Sequence, residues 1–377
     1  MPKLWFEPES LRRGLAKAKI VKPETGDLHM RFTGTSLQIW TYDRRRQAMV
    51  FVEPMRSEGA DPGWTSEEFY VSMDRSVLFD TDLKTVSISV NEKSISVHAQ
   101  DDAGITRSAT LKKRSESSRR QKMPVPPSLP AVRILRSDLD EALRQVSCSA
   151  LIKETKSEED MRVNQVHFHG DIGCASSNAR YYASLAFMDS VPDGFSLVSS
   201  DIPPVRAFCS KCQSEWMELA QDEFRVYVRD PGTGSILSLN KVSPKRSPVA
   251  ILDQSMFSVE IRADRDVLCR SLGWSSTAVE GTQRLSVAAV RDPDGDSGTM
   301  KLSSSSQELA SIPIRFVSGN SLSADFPVRI MASIIGFMDG EVSMRYGHKS
   351  APTVMEITGS SDSKVRGVHY LQSMKAR

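Results

Sequence analysis

The stretch that decides the fold runs from Val132 to Leu151 and reads VRILRSDLDEALRQVSCSAL. It begins as a short strand, passes Ser137 and Asp138, either of which can start a helix, and continues with Leu139 and Leu143. Leucines four residues apart lie on one face of a helix. The stretch therefore predicts a strand that leads directly into an amphipathic helix.

The same pattern occurs twice more in the chain. PESLRRGLAKAKI near the N-terminus carries the pair Leu11 and Leu15, and ADRDVLCRSLG carries the pair Leu268 and Leu272. The first leucines of the three pairs are 128 and 129 residues apart. This regular spacing predicts three equivalent units along the chain.

A second landmark repeats in the same order. Val77, Val205 and Val328 each fall in a predicted second helix, and each is followed by an alternating strand. Each unit therefore reads as helix, strands, helix, strands, which predicts an α+β fold of three tandem domains, each with two helices packed on an antiparallel sheet. The predicted divisions are domain 1 at 1–111, a basic Ser/Pro-rich linker at 112–131, domain 2 at 132–253 and domain 3 at 254–377.

Composition narrows the class of protein. The 377 residues exceed one ordinary domain, and 49 Lys and Arg nearly balance 47 Asp and Glu, so only a segregated basic surface would attract an anionic partner. No apolar run is long enough to span a membrane, the N-terminus lacks the apolar core of a secretory signal, and five cysteines follow no disulfide pattern. We therefore expect a cytoplasmic protein with no membrane partner.

Motifs of catalysis and cofactor binding are missing from the sequence. It has no GxGxxG, Walker or GxSxG pattern, which argues against an enzyme and predicts no cofactor. Cys209 and Cys212 have CxxC spacing, but they fall inside a predicted amphipathic helix, where cysteine is also an ordinary small apolar residue. The acidic run from Asp292 to Asp296 lacks the glutamate of a calcium loop, and a hairpin turn explains it better. We therefore predict no metal site.

Basic residues are the informative ones. The linker segment KKRSESSRRQKMPVPPSLP could touch nucleic acid or simply be solvated. The predicted helices carry cations opposite their leucine faces, and acids are few on several of them, which favours a sequence-independent, phosphate-facing surface. The predicted DNA-binding residues are Arg12, Arg13, Lys17, Lys19, Arg75, Arg144, Arg206, Lys211, Arg270 and Arg329.

Three tandem α+β units with cationic helices resemble the bacterial DNA polymerase III β sliding clamp family. The resemblance covers almost the whole chain and is strongest in the middle unit, in the segments VRILRSDLDEALRQVSCSA, MRVNQVHF, ARYYASLA and IPPVRAFCSKC. It is weakest in the first unit and in the long linker. The divergence fits a clamp of phage or other atypical bacterial origin.

The resemblance implies a ring without catalytic activity. In that family two three-domain protomers join head to tail, their helices line a hole for duplex DNA, and a clamp loader opens the ring. The ring tethers the replicative DNA polymerase to its template as a processivity factor. Expected partners are thus double-stranded DNA, a DNA polymerase, a clamp loader and a second copy of the chain. We expect the dimer to pair a sheet edge near Ala109 to Leu111 with one near Leu272.

The resemblance also implies a cleft between domains 2 and 3 that binds short partner peptides. Arg180, Tyr181 and Tyr182 stand where the family has a Gly-His-Arg-Leu-like turn, which puts the peptide specificity in doubt; the two tyrosines could also pack into their own sheet. The implied cleft residues are Val163, Arg180, Tyr181, Tyr182, Pro248, Val249, Tyr370, Gln372 and Met374.

A second hypothesis belongs to another class of protein. The same three domains could form a structural or adaptor protein, such as a virion component, that does not encircle DNA. Cations rather than acids on the helix faces favour the clamp. Retention on circular DNA and release after linearisation would separate the two hypotheses.

Overall fold

The computed structural model describes residues 1–73, 84–112, 124, 127–147, 165–169, 173–177, 182–187, 195–242, 256–278, 284–304, 307–347, 354–360 and 365–372. For residues 112, 169, 173–177, 182–185, 187, 195 and 372 it describes the backbone alone.

The described residues form five α-helices and 25 strands. Helices α1 to α5 are Pro8–Ala18, Arg136–Ser147, Ile202–Lys211, Arg265–Ala278 and Val328–Gly336. Strands β1 to β25 are Lys3–Phe6, Asp27–Phe32, Leu37–Tyr42, Arg46–Val52, Arg56–Glu58, Phe69–Ser72, Thr85–Val90, Ser94–Gln100, Thr106–Lys112, Ala131–Leu135, Gln165–His169, Gly173–Ser177, Tyr182–Phe187, Phe195–Val198, Trp216–Gln221, Arg225–Arg229, Ile236–Asn240, Phe257–Asp264, Arg284–Arg291, Ser297–Ser304, Gln307–Ser318, Ser321–Pro327, Glu341–Gly347, Val354–Gly359 and Arg366–Gln372.

Helix α1 shows why the leucine pattern folds as predicted. Pro8 lies in its first turn, where the missing N–H leaves no donor unpaired, and Leu11 and Leu15 are fully buried. Gly14 faces β4 so closely that a Cβ on it would lie 2.3 Å from Cγ2 of Val52. The helix therefore packs tightly on the sheet, and its buried face is the leucine face.

The other helices follow the same logic. The leucine pairs of α2 and α4 are buried, and α3 begins with Pro203 and Pro204 in its first turn. Helix α5 is the second helix predicted for the last unit. The second helix predicted around residues 73–83 lies outside the described residues from position 74 onward. Together with the sheets, these helices confirm the predicted α+β class.

The strands form three antiparallel sheets. The order of the five-stranded sheet is β5-β1-β7-β8-β9, and that of the eight-stranded sheet is β10-β15-β16-β17-β4-β3-β2-β6. The twelve-stranded sheet has the order β14-β11-β12-β13-β25-β24-β23-β18-β21-β20-β19-β22. The predicted turn at Asp292 to Asp296 joins β19 to β20 as a hairpin.

Two strand pairs join segments that are distant in sequence. Strand β4 pairs with β17, with Met49 opposite Ile236, and β13 pairs with β25, with Tyr182 opposite Leu371. In both pairs the last strand of one predicted domain lies beside a middle strand of the domain before it. We call these strand pairs the first and the second junction.

The chain divides into two compact units. The first unit comprises Met1–Arg136 and Pro203–Lys241, and the second comprises Ser137–Ile202 and Val242–Arg377. Each unit contains one junction, because the strands of the predicted middle domain are shared between two sheets. The division into three domains stays a prediction.

The sheet edges can be compared with the expected dimer contact. Strand β9 is an edge of the five-stranded sheet, as expected for the region from Ala109 to Leu111. Leu272 lies within α4, a helix that packs on β21, and it is fully buried in the core of the second unit, beside Leu268. The pairing of these two regions between copies stays a prediction.

The C-terminal segment belongs to a sheet up to Gln372, its last described residue. The sequence predicts HYLQSMKAR as a tail, but Tyr370 and Gln372 lie in β25, between β13 and β24. Tyr370 is buried. A truncation that begins at Tyr370 would therefore remove part of a central strand, not a free tail.

Candidate nucleic-acid interface and partner cleft

Helix α1 carries the densest group of predicted DNA-binding cations. Arg12 and Arg13 lie 3.2 and 3.5 Å from the carboxylate of Glu9, and both guanidinium groups keep part of their surface in solvent. Lys19 caps the end of the helix and is half-buried. Exposed pairs of this kind are weak, so a phosphate can compete with Glu9 for the arginines.

Lys17 corrects the prediction made for this helix. Its side chain is 3% exposed, and its Nζ lies 2.6 Å from Oδ2 of Asp230, in the turn before β17. The Lys17 Nζ also lies 5.8 Å from the ring centroid of Phe208 on α3. Lys17 is therefore a structural cation of the first junction and not a DNA-facing one, because its end of the helix is covered by this turn.

The surroundings of Asp230 hold it as a carboxylate. Thr233 Oγ1 donates a hydrogen bond of 3.0 Å to Oδ2, and Ser214 Oγ donates to Oδ1. Burial acts to raise the pKa of Asp230, but the hydrogen bond from Lys17, the one from Ser214 and the Lys17 charge together lower it. The site is a satisfied buried ion pair.

Arg144 on α2 is also engaged inside its own unit. Its guanidinium lies 2.6 Å from Glu141 and donates a 3.1 Å hydrogen bond to the carbonyl of Phe337, just after α5. Asp339 lies 3.7 Å away. The Arg144 side chain thus ties α2 to the end of α5; that it faces DNA stays a prediction.

Beside Arg144, α2 contacts the C-terminal strand through a neutral pair. His369 Nε2 lies 3.0 Å from Oε1 of Gln145, whose amide nitrogen donates to Glu141 at 2.6 Å. Burial, and to a smaller degree the charge of Arg144, lowers the pKa of His369 to about 3. The imidazole is therefore neutral at physiological pH, and it fixes β25 against α2.

The remaining predicted cations differ in exposure. Arg270 on α4 and Arg329 on α5 are exposed, whereas Arg206 and Lys211 on α3 are half-buried. Arg75 lies outside the described residues. Helix α4 begins next to a group of acids, since Asp264, Asp266, Asp339 and Glu341 line one open cavity of about 430 Å³. The helix faces are consequently less basic in the second unit than in the first.

Most of the implied cleft falls outside the described residues, namely Val163, Arg180, Tyr181, Pro248, Val249 and Met374. The structure does bring Tyr182 and Tyr370 to neighbouring strands, because β13 pairs with β25. Gln372 is the last residue of β25. Two sequence-distant members of the implied cleft thus come together at the second junction.

A buried polar row beside Tyr370 was not foreseen from the sequence. Glu356 on β24 is opposite Tyr370 and is buried, and Arg345 on β23 lies 3.0 Å from its Oε1. Burial, together with the charge of Glu356 and a hydrogen bond to it, raises the pKa of Tyr370. Only the strand order places these three side chains in one row, so no local sequence signal could have found them.

Cys209 and Cys212, the pair with CxxC spacing, are both buried, and the Cys212 thiol donates to the carbonyl of Phe208 at 3.2 Å. Burial raises the pKa of Cys212. Within the described ranges, no group of His, Cys, Asp and Glu side chains has an arrangement that could hold a metal ion. None of the described helices has the length and apolar character needed to cross a membrane.

No family model and no curated protein matches the sequence. Solved structures do match over the full length. A DNA polymerase sliding clamp from Pseudomonas aeruginosa aligns with a TM-score of 0.75 at 13% identity, covering 100% of both chains. A putative DNA polymerase III β subunit from Eubacterium rectale aligns with a TM-score of 0.75 at 9% identity, and the β subunit from Thermotoga maritima with 0.72 at 13%, each again covering 100% of both chains.

These matches define the class by fold. The chain has the α+β fold of the DNA polymerase III β sliding clamps, which confirms the resemblance inferred from the sequence. At such low identity the likeness concerns the fold, and the residues of the sites must be argued from this chain.

Proposed function

We propose that the protein is a DNA sliding clamp, a non-catalytic ring that encircles duplex DNA and tethers a DNA polymerase to its template. The observation that carries the proposal is the end-to-end match to solved structures of DNA polymerase sliding clamps. A match confined to one domain would leave the number of repeated units open, whereas this one spans 100% of both chains.

The two junctions support a rule for closing the ring. Each pairs the last strand of one predicted domain with a middle strand of the preceding one, as β17 does with β4 and β25 with β13. In this repeat β9 is the last strand of the first predicted domain, and β21 is a middle strand of the third. The pairing rule leaves β9 and the N-terminal part of β21 as the two strands for the next such pair. Among the described residues, β9 pairs only with β8, and β21 pairs with β18 only from Arg315 onward, so residues 307–314 have no described strand on one side.

Both edges fit a head-to-tail dimer. Pro313 within β21 is typical of an edge strand, because proline cannot donate to a ladder on both sides. If β9 of one copy pairs with β21 of the other, the same contact forms twice and closes a two-fold ring. In this proposal β21, on which the helix of Leu272 packs, is the edge of the third predicted domain.

The DNA-facing role rests on the cations that remain accessible. Arg12 and Arg13 on α1, Arg270 on α4 and Arg329 on α5 keep exposed surface, and Lys19, Arg206 and Lys211 keep part of theirs. Cations on helices, without base-reading side chains in a fixed pattern, bind phosphates irrespective of sequence. Such binding permits sliding.

Partner proteins would bind at the second junction. Tyr182 and Tyr370 lie on paired strands there, and Glu356 with Arg345 holds the Tyr370 strand in place. A short peptide gains its affinity from a few apolar side chains in a preformed pocket. A polymerase and a clamp loader are the proposed partners.

Retention of the protein on circular DNA, compared with linear DNA, tests the proposal. The protein is loaded on nicked circular plasmid with a bacterial clamp loader and ATP, passed through a sizing column, and the plasmid is then linearised. A ring stays on the circle and is lost from the linear form. Equal retention on both forms would refute encirclement and favour the non-encircling adaptor, and a blocked linear end is the matched control.

A further inference from the structure

Two hairpin turns that are built alike lie at one end of the first junction. Asp43 begins the turn between β3 and β4, and Asp222 begins the turn between β15 and β16. In each turn the aspartate N–H donates to the carbonyl three residues later, at 2.9 and 3.0 Å. One carboxylate oxygen of each aspartate also accepts two backbone N–H groups of its own turn, each at 2.7 Å. An aspartate in this role fixes the backbone of a turn, so the residues at both tips are held in place.

The end of β17 lies between the two turns and binds both. Asn240 donates its backbone N–H to the carbonyl of Arg45 at 2.9 Å and its side-chain amide to that of Arg44 at 3.3 Å. Lys241 donates its backbone N–H to the carbonyl of Phe224 at 2.7 Å. Neighbouring strands are about 4.8 Å apart, so the backbones of the two tips lie within about 10 Å of each other. We call the surface formed by Arg44, Arg45, Phe224 and Lys241 the turn surface; it lies wholly in the first unit.

The turn surface combines an exposed aromatic ring with cations. Phe224 is 70% exposed, and the side chain of Arg44 is 91% exposed and lies 3.1 Å from Glu24. Exposed pairs of this kind are weak, so an anionic partner can compete with Glu24. Across residues 43–46, 222–225 and 240–241, cations outnumber carboxylates five to three, and two of those carboxylates accept backbone N–H groups of their own turns. The surface therefore has an excess of positive charge around one apolar side chain.

The turn surface corresponds by position to the implied partner cleft. At the first junction Arg46 lies opposite Leu239, and at the second Tyr182 lies opposite Leu371. In both pairs the first residue of a middle strand meets the next-to-last residue of the following domain's last strand. The turn before β4 and the end of β17 thus correspond to the residues before β13 and the end of β25. This second pair of elements carries much of the cleft to which the resemblance assigns partner peptides.

We infer that the turn surface is a second docking site, which binds a short acidic peptide of a partner protein through one large apolar residue that packs on Phe224. The inference rests on the proposed function in one respect, since the equivalent place at the second junction is the proposed partner site. The occupant is acidic because Arg44, Arg45 and Lys241 attract carboxylates and repel a basic chain. The exposed ring supplies the apolar contact from which a short peptide gains most of its affinity.

The rigidity of the turns suits this role. A side chain on a flexible loop loses conformational freedom on binding, whereas the backbone of Phe224 is already held by Asp222 and Lys241. The two surfaces also differ in chemistry, because the implied cleft contributes Tyr182 and Tyr370 where the turn surface contributes arginines. This difference discriminates between peptides. One chain can therefore hold two different partners.

Peptide selection tests the docking site. A display library of random short peptides is selected on the intact protein, without DNA and at low salt, and the enriched peptides are measured by fluorescence anisotropy. Acidic peptides with one large apolar residue should be enriched. Phe224→Ala should weaken their binding at least about 30-fold, the threshold of an interface hot spot. Arg44→Glu should weaken it at least about tenfold, because like charges then face each other.

Two variants on the same sheet are matched controls. Trp216 is 45% exposed and lies at the opposite end of β15 from the turn. The side chain of Arg133 is 72% exposed and lies 3.3 Å from Glu218, a pair that resembles the one made by Arg44. Trp216→Ala and Arg133→Glu should leave the affinity for the peptides unchanged. Phe224→Ala and Arg44→Glu should unfold at the wild-type urea concentration, because both side chains are exposed.

The outcomes are separable. A selected set without acidic peptides would refute the docking site, and so would acidic peptides that bind both variants as tightly as the wild type. Binding of oligothymidylate instead of peptides, with the same dependence on Phe224 and Arg44, would make this a nucleic-acid surface and also refute the inference. A protein that binds acidic peptides through Phe224 but is not retained on circular DNA would refute the proposed function and leave the docking site. Retention on circular DNA without such peptides would refute the docking site and leave the ring.

Discussion

At the first junction Lys17 and Asp230 form a buried ion pair. At the second junction Gln145, which like Lys17 lies two residues after the second leucine of its pair, forms a neutral hydrogen-bonded pair with His369. The backbone arrangement is shared, because both junctions are antiparallel strand pairs covered by a leucine-paired helix. The repeat thus determines the position of the contact between helix and strand but not the residue types that form it. The two units should therefore respond differently to substitution and to pH.

The largest effect on the free energy of unfolding is expected for the buried ion pair of Lys17 and Asp230. Asp230→Ala leaves Lys17 buried without a counter-charge and should lower the free energy of unfolding of the first unit by about 3–5 kcal/mol, because a buried charge that loses its partner stays desolvated. Urea titration followed by circular dichroism measures it.

The control for this substitution is Glu24→Ala. It breaks the exposed pair of Glu24 with Arg44, whose side chains are 45% and 91% exposed, and should cost no more than about 1 kcal/mol. Equal effects of the two substitutions would show that the Lys17 pair is no stronger than a surface pair.

Acid should weaken the second junction first. His369 has a pKa of about 3 when folded and an ordinary value of 6.5 when unfolded. The unfolded chain therefore binds the extra proton between these values, and stability falls as the pH falls through that window. From pH 7 to 5 the loss should be about 2 kcal/mol.

Replacing the histidine tests this pH dependence directly. His369→Gln should remove the loss, whereas His98→Gln, at an exposed position on β8, should retain it. Asp230 behaves in the opposite sense: its pKa is lowered, so its contribution is present above its ordinary value of 3.8 and is lost only below it. If Asp230 caused the first unit to lose stability between pH 7 and 5, the expected difference in pH response between the two junctions would be refuted.

Replacing the cation of the first junction with the amide found at the second should have a smaller effect on the free energy of unfolding. Lys17→Gln gives the first junction the residue of the second. It should cost about 1–2 kcal/mol, less than Asp230→Ala, because Ser214 and Thr233 still donate to the carboxylate and the new amide can donate as well. Lys17→Met is the matched variant without a donor, and it should cost more. Equal losses in urea titration would show that the donor at this position does not matter.

The smallest effect on stability is expected on the exposed side of α1. Arg12 and Arg13 stand where α2 has Asp140 and Glu141, 128 residues later. Changing both arginines to alanine should alter stability by no more than about 1 kcal/mol and reduce the salt dependence of DNA binding by a slope of about 2, at about 0.9 per phosphate contact.

Arg144→Ala is the comparison for that measurement. It should leave the salt slope unchanged and lower stability instead, because Arg144 is engaged with Glu141 and Phe337. DNA retention measured from 50 to 200 mM salt, a range in which phosphate contacts lose most of their strength, distinguishes the two helices. A slope that falls equally for both would mean that α2 also faces DNA.

The helices could be predicted from the sequence, because the leucine pairs report a local period. Leu11 and Leu15, and their equivalents, are buried as the pattern requires. The hairpin at Asp292 was predictable for the same local reason. The fold class followed from counting these local units.

The side-chain contacts at the junctions could not be predicted. Lys17 looks like any cation on an amphipathic helix, and its burial depends on Asp230, 213 residues away. The placement of β25 between β13 and β24 likewise depends on long-range pairing, so the sequence alone predicts a tail at Tyr370. Local periodicity does not indicate which strands pair with each other.

The position of β25 has a consequence for how the chain is made. During synthesis β13 is made long before its partner strand, since Tyr182 pairs with Leu371 and 188 residues lie between them. At about 5–20 residues per second, roughly ten to forty seconds pass during synthesis with the edge of β13 open. Nascent chains stalled before residue 366 should consequently be the form of this protein that aggregates or recruits a chaperone.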